Sequence, residues 1–526
     1  HFMSHPVVPT LGRRQFVGLV AAAAAIVGVG SISACSSPTS SPSNGSPSNG
    51  NRLRISTSDG STNDSLDPLR VERLMQNLCT SMIFEALIDI DEDMRPVGRL
   101  AESFGTPDDG VTWDFTLHRN ITMHDGEPLT PEDVRFCISR ALDPNEGSGN
   151  SLAGQLKGIL RPQGIIVVDD RTIRFVLDKK YVFFPTAMAT RFARIYRAGT
   201  KNFDRPVGSG PYMFKSFKPG QSFVATRFDK YWGGASGVER VEVSNYPEES
   251  TRLAAFLDGD DDVMMNLDTS SAPAILAAGG RTIIEEKDSL WVPLALDTTV
   301  APFDNPDVVR AIKLAVDRDQ VVAHAMGGYG SIGYDEPIPA ADSFFAGLPL
   351  PTYDPDAARD LLVKAGYGNG ITLPALDVLD IPVALSMALV LQQQLKDVGI
   401  RFDIKRVPAA TFWSTSWLKK PFYCCSYSRR STADEILKLC FTSNGRWNMS
   451  KRKDPEIDQT IESAATTTDI NEQKRQYTIA QRLIAERDST IISAHIARLS
   501  AVAANVSGVT ANPVHILDVR KAGIFT

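Results

Sequence analysis

Residues 412–434 hold the side chains best suited to bind a small solute. Four aromatic rings could form flat walls with polar edges, which suit peptide side chains or sugars, although at least two of the four could belong to the core. Two adjacent arginines could attract a carboxylate or a phosphate, or could lie on a solvated loop and pair with Asp434 and Glu435. The candidate ligand-binding residues of this segment are Trp413, Trp417, Tyr423, Tyr427, Arg429, Arg430 and Asp434.

Three other motifs have suggestive residue types but lack the spacing that their chemistry requires. The His-Asp-Gly-Glu motif at 124–127 lacks the helical spacing of paired metal ligands and is typical of a turn. The acidic run at 258–262 lacks the spacing and the distal glutamate of a calcium loop. The glycines at 327–330 are not followed by the Gly-Lys-Ser/Thr of a P-loop. Because no Ser/His/Asp or Cys/His motif appears either, we predict no catalytic residues, no metal site and no cofactor.

Composition restricts the class of protein. The 526 residues correspond to roughly three domain-sized pieces. With 43% hydrophobic and 22% charged residues, the chain fits a globular body and not a disordered or polytopic membrane protein. A net charge of -7 argues against nucleic-acid binding, and six cysteines are too few for a disulfide scaffold.

The N-terminal residues predict export and a lipid anchor. Arg13 and Arg14 precede an apolar run at 16–32, which is shorter than the roughly 20 residues that span a bilayer and resembles the core of a twin-arginine signal peptide. The sequence ending in Cys35 resembles a bacterial lipobox, although an ordinary secretory signal could also end before a cysteine. We interpret 1–34 as the signal peptide and 35–51 as the lipidated Cys35 with a flexible Ser/Pro/Asn/Gly tether. The protein would then be held by its lipid on the extracellular or periplasmic face of the cell membrane.

After the tether, from residue 52 onward, predicted strands and helices alternate irregularly. Period-two alternation predicts strands at 52–57, 113–117, 164–168 and 172–177. Helical spacing, in several cases with a capping signal, predicts helices at 71–88, 131–142, 305–316, 356–365, 382–398 and 470–486. This order predicts an α/β body with mixed sheets.

A series of short motifs, in a specific order and spacing, resembles a known family. The motifs are Leu-Asp-Pro at 66–68, Phe-Glu-Ala-Leu at 84–87, the blocks at 113–117 and 123–134, Val-Gly-Ser-Gly-Pro-Tyr-Met-Phe at 207–214, Phe-Asp-Lys-Tyr-Trp-Gly-Gly at 228–234, and the segments at 296–299, 302–304 and 308–312. From about residue 53 to about 508, the chain resembles extracellular solute-binding protein family 5. These are the large dipeptide and oligopeptide receptors of bacterial ABC importers.

Most of these motif residues have a structural explanation. Gly208, Gly210, Gly233 and Gly234 lie beside aromatic residues, which fits tight turns where one backbone segment passes close to another. By position in the family motif, the first-lobe candidates for ligand contact are Leu66, Asp67, Phe84 and Glu85.

The resemblance implies a two-lobed periplasmic-binding-protein-like fold with a hinge. Two strands, near 292–298 and 491–495, would cross between the lobes, and a ligand in the cleft would favour the closed state because it contacts both lobes only there. Lobe I would comprise 52–292 and 496–526, with an extra subdomain at about 95–203, and lobe II would comprise 293–495. A monomer would deliver its solute to permease subunits driven by a cytoplasmic ATPase and would meet the membrane only through its lipid.

The resemblance does not identify the solute. Peptide-binding relatives hold the peptide's amino terminus with an aspartate, but here Arg429 or Arg430 occupies that place and Asp434 lies a little beyond. A peptide or peptide-like solute is the first interpretation, with the departure favouring one that carries an acid or is uncharged. The alternatives are an acidic, sugar-like or metal-chelate ligand, a peptide-sensing signalling lipoprotein, or a surface hydrolase.

After acylation of Cys35, five cysteines remain, so at least one is unpaired in a monomer. Cys440 could pair with Cys424 or Cys425, and buried free thiols are the equal alternative.

Overall fold

The computed structural model describes residues 51–91, 94–107, 110–146 and 150–525. The interpreted signal peptide, Cys35 and the tether before Asn51 lie outside the described residues. Residues Asn49–Thr526 form one compact unit. Within the described ranges, no helix has the length and apolar character to cross a bilayer.

The strands of the described ranges are given in chain order. They are β1 (Arg52–Thr57), β2 (Glu85–Ala86), β3 (Ile88–Ile90), β4 (Pro96–Gly98), β5 (Ala101–Gly105), β6 (Thr112–Leu117), β7 (Ile165–Val167), β8 (Thr172–Val176), β9 (Arg194–Ile195), β10 (Tyr212–Lys218), β11 (Ser222–Arg227), β12 (Arg240–Asn245), β13 (Val263–Leu267), β14 (Arg281–Leu296), β15 (Gly330–Ile332), β16 (Ile371–Thr372), β17 (Leu376–Leu379), β18 (Ile400–Arg401), β19 (Ile404–Val407), β20 (Phe422–Cys424), β21 (Tyr427–Ser428), β22 (Ile491–Ala503), β23 (Val506–Ser507), β24 (Thr510–Asn512), β25 (Ile516–Asp518) and β26 (Gly523–Ile524).

The α-helices of the same ranges follow. They are α1 (Leu74–Ile83), α2 (Pro131–Leu142), α3 (Ser151–Leu156), α4 (Phe184–Ala187), α5 (Glu249–Asp258), α6 (Ala272–Ala277), α7 (Pro306–Leu314), α8 (Arg318–Ala325), α9 (Pro355–Lys364), α10 (Pro382–Asp397), α11 (Ala409–Thr415), α12 (Ala433–Phe441), α13 (Pro455–Thr466) and α14 (Ile470–Arg487).

A 12-stranded mixed sheet forms the frame of the body. Its order is β10-β11-β12-β1-β13-β22-β14-β20-β17-β19, with β15 paired to β22 and β21 paired to β14. β1 runs parallel to β12 and β13, whereas β14 runs antiparallel to β22, β20 and β21. The long central pair, β14 and β22, includes the segments that we expected to cross between the lobes. One side of the sheet is built from strands early in the chain and the other from strands after β14.

Alternate residues of β14 enter two different hydrophobic clusters. Val292, Leu294 and Leu296 pack in one cluster, whereas Trp291 and Ala295 belong to the larger one. Successive side chains of a strand point to opposite faces of its sheet, so β14 is covered by packed layers on both faces. The fold is therefore a mixed α/β body with buried central strands, as predicted.

Several predicted elements have the observed bounds, and one is too long. β1 and α2 occupy the predicted residues, but the helix expected at 71–88 is α1, which ends at Ile83. Phe84 is extended, and Glu85 and Ala86 pair with β9. The helix prediction failed there because the apolar residues after Ile83 are buried as short strands, a setting in which helical spacing carries no information.

Close backbone approach explains the glycines at 208 and 210, as predicted. The Gly210 N–H donates to the Ile83 carbonyl at 2.9 Å, and His124 Nε2 lies 2.9 Å from the Gly210 carbonyl. A Cβ at Gly208 or Gly210 would fall inside the contact distance of the Ile83 carbonyl oxygen. His124 is therefore a turn residue that fastens this loop to the end of α1.

Replacing Gly210 by alanine should destabilise the fold by about 1–3 kcal/mol, because the added methyl group meets backbone atoms that cannot move aside. The matched control is Gly154→Ala within α3, where an added Cβ meets nothing within 4 Å and alanine should stabilise by about 0.5–1 kcal/mol. Urea unfolding of both variants checks the difference. Equal midpoints would contradict the close-approach explanation.

The five cysteines of the described ranges are all buried and free. Cys424 and Cys425 follow one another in the chain and enter different hydrophobic clusters, and Cys440 packs in the same cluster as Cys425. The alternative of buried free thiols therefore describes this structure.

Candidate functional site

A cavity of about 240 Å³ lies where β21 ends against β14. We call it the arginine cavity. It is lined by Trp291, Pro337, Ile338, Pro339, Asp342, Arg429, Arg430, Thr432, Ala433 and Ile436. The sequence analysis had named two of these residues, the adjacent arginines.

Backbone pairing fixes the position of the two arginines. Tyr427 pairs with Trp291 across β21 and β14, and the Arg429 N–H donates to the Ser289 carbonyl at 2.8 Å. Three residues later, the Thr432 hydroxyl caps α12 by accepting from the Glu435 N–H at 3.0 Å. The short loop between a sheet edge and a capped helix therefore presents both guanidinium groups to the cavity.

Arg429 already has a partner. Its Nη2 lies 2.7 Å from Asp342 Oδ2, and both side chains are largely buried, with 15% and 11% exposure. Asp342 lies 87 residues earlier in the chain and also lines the cavity. This charge-assisted bond makes the Arg429 wall close to neutral, although its buried Nε has no hydrogen-bond partner.

Arg430 is less well paired. Its guanidinium lies 4.7 Å from the ring centroid of Trp447, and its Nε is 3.9 Å from Glu435 Oε1, beyond hydrogen-bond distance. The Nε is buried without a hydrogen-bond partner. Arg430 therefore retains the capacity to bind an anion inside the cavity.

Aromatic rings form a continuous wall behind these groups. Tyr427 stacks on Trp447 at 5.4 Å and 16°, lies 4.9 Å from Trp291, and accepts a hydrogen bond from Trp417 Nε1 at 2.5 Å. Trp413 packs edge-on against Trp417 and is 43% exposed. Tyr423 is fully buried beside Phe412, away from this wall.

Asp434 is turned away from the arginine cavity. It is buried in α12, accepts from the Tyr477 hydroxyl at 3.2 Å, and forms an ion pair with Lys438 at 3.1 Å. Burial raises the pKa of Asp434, with the cation of Lys438 opposing that shift. Beside it, Phe183 from the region that we predicted as the extra subdomain packs against Tyr477 at 6.0 Å. Asp434 thus lies in a contact between segments that are distant in the chain.

Two of the first-lobe candidates, Leu66 and Asp67, are buried. Asp67 binds Arg140 through two oxygens, at 2.7 and 2.8 Å, and Arg140 also donates to the Tyr196 hydroxyl at 3.0 Å. Asp67 also caps a short 3-10 helix through the Leu69 N–H. These contacts give Asp67 a structural role.

Phe84 and Glu85 lie in a second cavity, of about 370 Å³, at the end of α1. Phe84 is fully buried and packs edge-on against Tyr196 at 5.8 Å. Glu85 accepts from the Tyr231 hydroxyl at 2.5 Å and from Trp232 Nε1 at 2.8 Å, and it forms an ion pair with Arg99. Glu85 therefore joins two of the family-like motifs to each other.

The sequence analysis missed Trp291, Trp447 and Asp342 as members of the region around the arginine cavity. One signal was present: four of the six tryptophans of the chain meet in the aromatic wall. No sequence pattern links Asp342 to Arg429, since long-range folding alone brings them together.

Buried titratable groups border the same region. The carboxyl group of Glu286 pairs in register with Arg498 across β14 and β22, and burial raises its pKa. Burial lowers the pKa of His495 to about 4, so its imidazole is neutral at pH 7. In the part of the chain that the structure describes, no group of three or more His, Cys, Asp or Glu side chains could hold a metal ion.

Comparison with known proteins places these features in context. The family model described as "Bacterial extracellular solute-binding proteins, family 5 Middle" matches residues 95–435. Heme-binding protein A of Haemophilus influenzae is 25% identical over 484 residues, which cover 85% of this chain and 87% of that protein. Glutathione-binding protein GsiB of Pectobacterium atrosepticum is 25% identical over 442 residues, which cover 80% of this chain and 84% of that protein.

A solved structure shows the same fold. The dipeptide-binding protein from Pseudoalteromonas sp. SM9913, in complex with Met-Leu, superposes with a TM-score of 0.74 at 22% sequence identity. The match covers 90% of this chain and 100% of that chain. It confirms the predicted two-lobed fold of the periplasmic-binding-protein type.

Proposed function

This chain belongs to the bacterial extracellular solute-binding proteins of family 5, and we propose that the solute it delivers to its ABC importer is a peptide or a peptide-like small molecule. Solute-binding proteins of ABC importers bind small ligands and work with permease and ATPase components. The arginine cavity is the proposed binding site. The single observation that carries this assignment is a cavity beside β14 that is lined by Trp291 and by Arg430, whose buried Nε has no hydrogen-bond partner.

The lining of the cavity supports a small amphipathic solute. Trp291, Ile338 and Ile436 offer apolar surface, whereas Arg429 and Arg430 offer hydrogen-bond donors. A short peptide combines apolar side chains with a terminal carboxylate, and both features find matching groups here.

Contacts between distant segments support closure around the solute. Phe183 packs against Phe344 at 5.7 Å and against Tyr477 at 6.0 Å, joining the predicted extra subdomain to elements of predicted lobe II. A solute that contacts both the predicted extra subdomain and predicted lobe II would favour the closed state, because it can make both sets of contacts only in that state. The permease then distinguishes the loaded protein from the empty one.

The proposed lipid anchor and tether have a role in delivery. A lipid on Cys35 and the tether at 36–51 would keep the binding domain beside its permease, raising its effective concentration there. We further propose that the protein acts as a monomer and carries out no catalysis.

Mass spectrometry of small molecules released from gently desalted and then denatured protein, expressed from residue 36 onward, tests the proposed solute. We expect short peptides, present in wild-type protein and depleted in Arg430→Gln. The control is Arg205→Gln, which removes an exposed charge of the same sign elsewhere. A single sugar-like mass or a metal chelate would contradict the peptide proposal while leaving the receptor role intact.

A further inference from the structure

The surface around α11 differs in charge from the rest of the protein. Residues 404–433 include six lysines and arginines and no aspartate or glutamate, although acidic residues outnumber basic ones in the whole chain by 62 to 55. β19, α11 and β20 all lie within this stretch. β19 is the last strand in the order of the 12-stranded sheet, and α11 follows it after Pro408. A segment without acidic side chains therefore covers one end of the sheet.

Trp413 is the exposed ring of α11. It is the most exposed of the six tryptophans, at 43%, whereas Trp291 at the other end of the aromatic wall is buried. The neighbouring residues at 409–411 and 414–415 are also exposed, and all of them are alanine, serine or threonine. The helix therefore presents an indole ring to solvent on a surface that has no charged side chain of its own.

Lys419 and Lys420 lie beside Trp413. The Lys419 Nζ donates at 2.5 Å to the carbonyl of Ser414, the residue that follows Trp413. The backbone N–H groups of both lysines donate to the Ser416 carbonyl, just after α11, at 3.1 and 2.9 Å. Both side chains are exposed, and neither has a counterion within 4 Å among the described residues.

Lys405 joins the same surface from β19. Asp377 accepts from the Ser416 hydroxyl at 2.6 Å and lies 4.0 Å from the Lys405 ammonium, so Lys405 stands close to the end of α11. The Lys405 side chain is 63% exposed, and solvent screens its interaction with Asp377. Arg406, the next residue of β19, is paired with Asp380 at 2.7 Å and is not included. We define the basic aromatic patch as Trp413, Lys405, Lys419 and Lys420.

Protection of a sheet edge accounts for only part of this patch. Lysine on an edge strand discourages pairing with strands of other molecules, which explains Lys405. That role requires neither an exposed tryptophan on the following helix nor two further lysines after it. The combination of an exposed indole ring with unpaired ammonium groups indicates a partner that is apolar at its boundary and negatively charged at its surface.

We propose that the basic aromatic patch binds the surface of the lipid bilayer, at anionic headgroups. Tryptophan favours the boundary between headgroups and hydrocarbon, because its ring is apolar and its N–H is polar. The lysine ammonium groups are attracted to anionic headgroups within about one Debye length of the surface. The inference goes beyond the proposed function, because it does not depend on the solute. It adds a second membrane contact where the sequence led us to expect the lipid alone.

The proposed anchor favours a bilayer as the partner. The tether at 36–51 can extend over at most about 55 Å, so a lipid on Cys35 would keep the body within that distance of the membrane. The average span of such a flexible tether is roughly 20–24 Å. At the high effective concentration that results, a patch of low affinity is enough to orient the body. A protein of net charge -7 would turn its acid-free surface toward an anionic bilayer.

This orientation has a consequence for delivery. Trp413 is the outer end of the aromatic wall, and Trp291 at the inner end lines the arginine cavity. Contact of Trp413 with the bilayer would therefore turn the side of the body that carries the cavity toward the membrane, where the permease subunits lie.

Sedimentation with lipid vesicles tests the patch on unacylated protein expressed from residue 36 onward. Vesicles of phosphatidylcholine are compared with vesicles of equal parts phosphatidylcholine and phosphatidylglycerol. We expect the wild type to bind the anionic vesicles in preference to the neutral ones, and added NaCl to weaken this binding. Lys419→Gln combined with Lys420→Gln should lower the partition coefficient at least tenfold, since each lysine near an anionic surface contributes about fivefold. Lys201→Gln combined with Lys230→Gln, which removes two exposed lysines elsewhere, should match the wild type.

Trp413 supplies an independent readout. Brominated acyl chains quench a tryptophan that reaches the hydrocarbon boundary, so anionic vesicles that contain them should quench the wild type. This quenching should be lost in Trp413→Ser. Leu350→Ser is the control, because it removes another exposed apolar side chain, one that is 63% exposed. Thermal unfolding establishes that each variant is folded.

Several results would overturn the proposal. They are the absence of vesicle binding by the wild type, equal binding to neutral and anionic vesicles, equal binding by the wild type and the Lys419 and Lys420 double variant, and quenching that survives Trp413→Ser. Binding that requires permease protein in the vesicles would also overturn it and would identify the importer as the partner of the patch. Solute retention measured by mass spectrometry is independent of these results, so failure of the patch would leave the proposed function intact.

Discussion

Replacing Glu85 by alanine is expected to lower the free energy of unfolding by about 3–5 kcal/mol. The side chain is buried, with 4% exposure, and its carboxylate serves Arg99, Tyr231 and Trp232 together. Removing it leaves a guanidinium, a hydroxyl and an indole N–H without their acceptor in a space that water enters poorly. Urea or thermal unfolding of the purified variant measures the loss.

Glu132→Ala is the matched control for this prediction. Glu132 pairs with Arg135 on the surface of α2, where both side chains are 50% exposed, and such pairs contribute about 0–1 kcal/mol. If Glu85→Ala lost no more stability than Glu132→Ala, the hydrogen bonds of Glu85 to Arg99, Tyr231 and Trp232 would not stabilise the fold. Retention of solute by a folded Glu85→Ala protein would further separate this residue from the arginine cavity.

The contrast between Glu85 and Arg430 shows why motif residues differ from ligand contacts. The Phe-Glu-Ala-Leu segment and the Tyr-Trp-Gly-Gly segment are distant in sequence, yet they meet through Glu85. The order of these motifs along the chain was enough to indicate the family. The motif residues that meet through Glu85 hold distant segments of the fold together. The residues that we propose for solute binding, Arg430 among them, lie outside these motifs.

Local signals predicted much of the frame. Burial in β1 alternates over its first four residues. At the start of α2, the N–H and the hydroxyl of Thr130 donate to the Asp133 carboxylate, and Pro131 is the first helical residue. The predicted helix at 71–88 extended beyond the observed end of α1 at Ile83, because the apolar residues after Ile83 are buried in short strands and not on a helix. Ile88 and Ile90, for example, are buried in a short strand.

The candidate site was only partly predictable. Arg429 and Arg430 stand out by type and adjacency, and the structure brings them to one cavity with Trp291. Arg429 is hydrogen-bonded to Asp342, which is remote in sequence and is brought to it by tertiary folding. Sequence alone could not show that Arg429 has this close partner while Arg430 lies 3.9 Å from Glu435, because adjacent side chains of a loop can face different partners.

Replacing Glu336 by glutamine is expected to remove a pH-dependent destabilisation of the folded protein. Glu336 has 0% exposure, its Oε1 has no hydrogen-bond partner, and its Oε2 accepts from the Ile338 N–H at 2.7 Å. Burial raises the pKa of Glu336 well above its ordinary value of 4.5, and the carboxylates of Asp342 and Asp335 act in the same direction. The folded state therefore holds a proton that the unfolded chain releases.

The sign of the effect follows from that difference in proton binding. The raised pKa of Glu336 contributes fully to the free energy of unfolding below pH 4.5, the ordinary pKa of a glutamate. This contribution is lost as the pH rises toward the pKa of Glu336 in the folded state. Over that interval, Glu336→Gln should gain on the wild type by about 1.4 kcal/mol per pH unit, and the two should be nearly equal at acidic pH. Urea unfolding across a pH series measures this, with Glu127→Gln as an exposed control of the same chemical change. A constant difference between Glu336→Gln and the wild type at every pH would mean that Glu336 is ionised in the fold, with a cation or water at its Oε1.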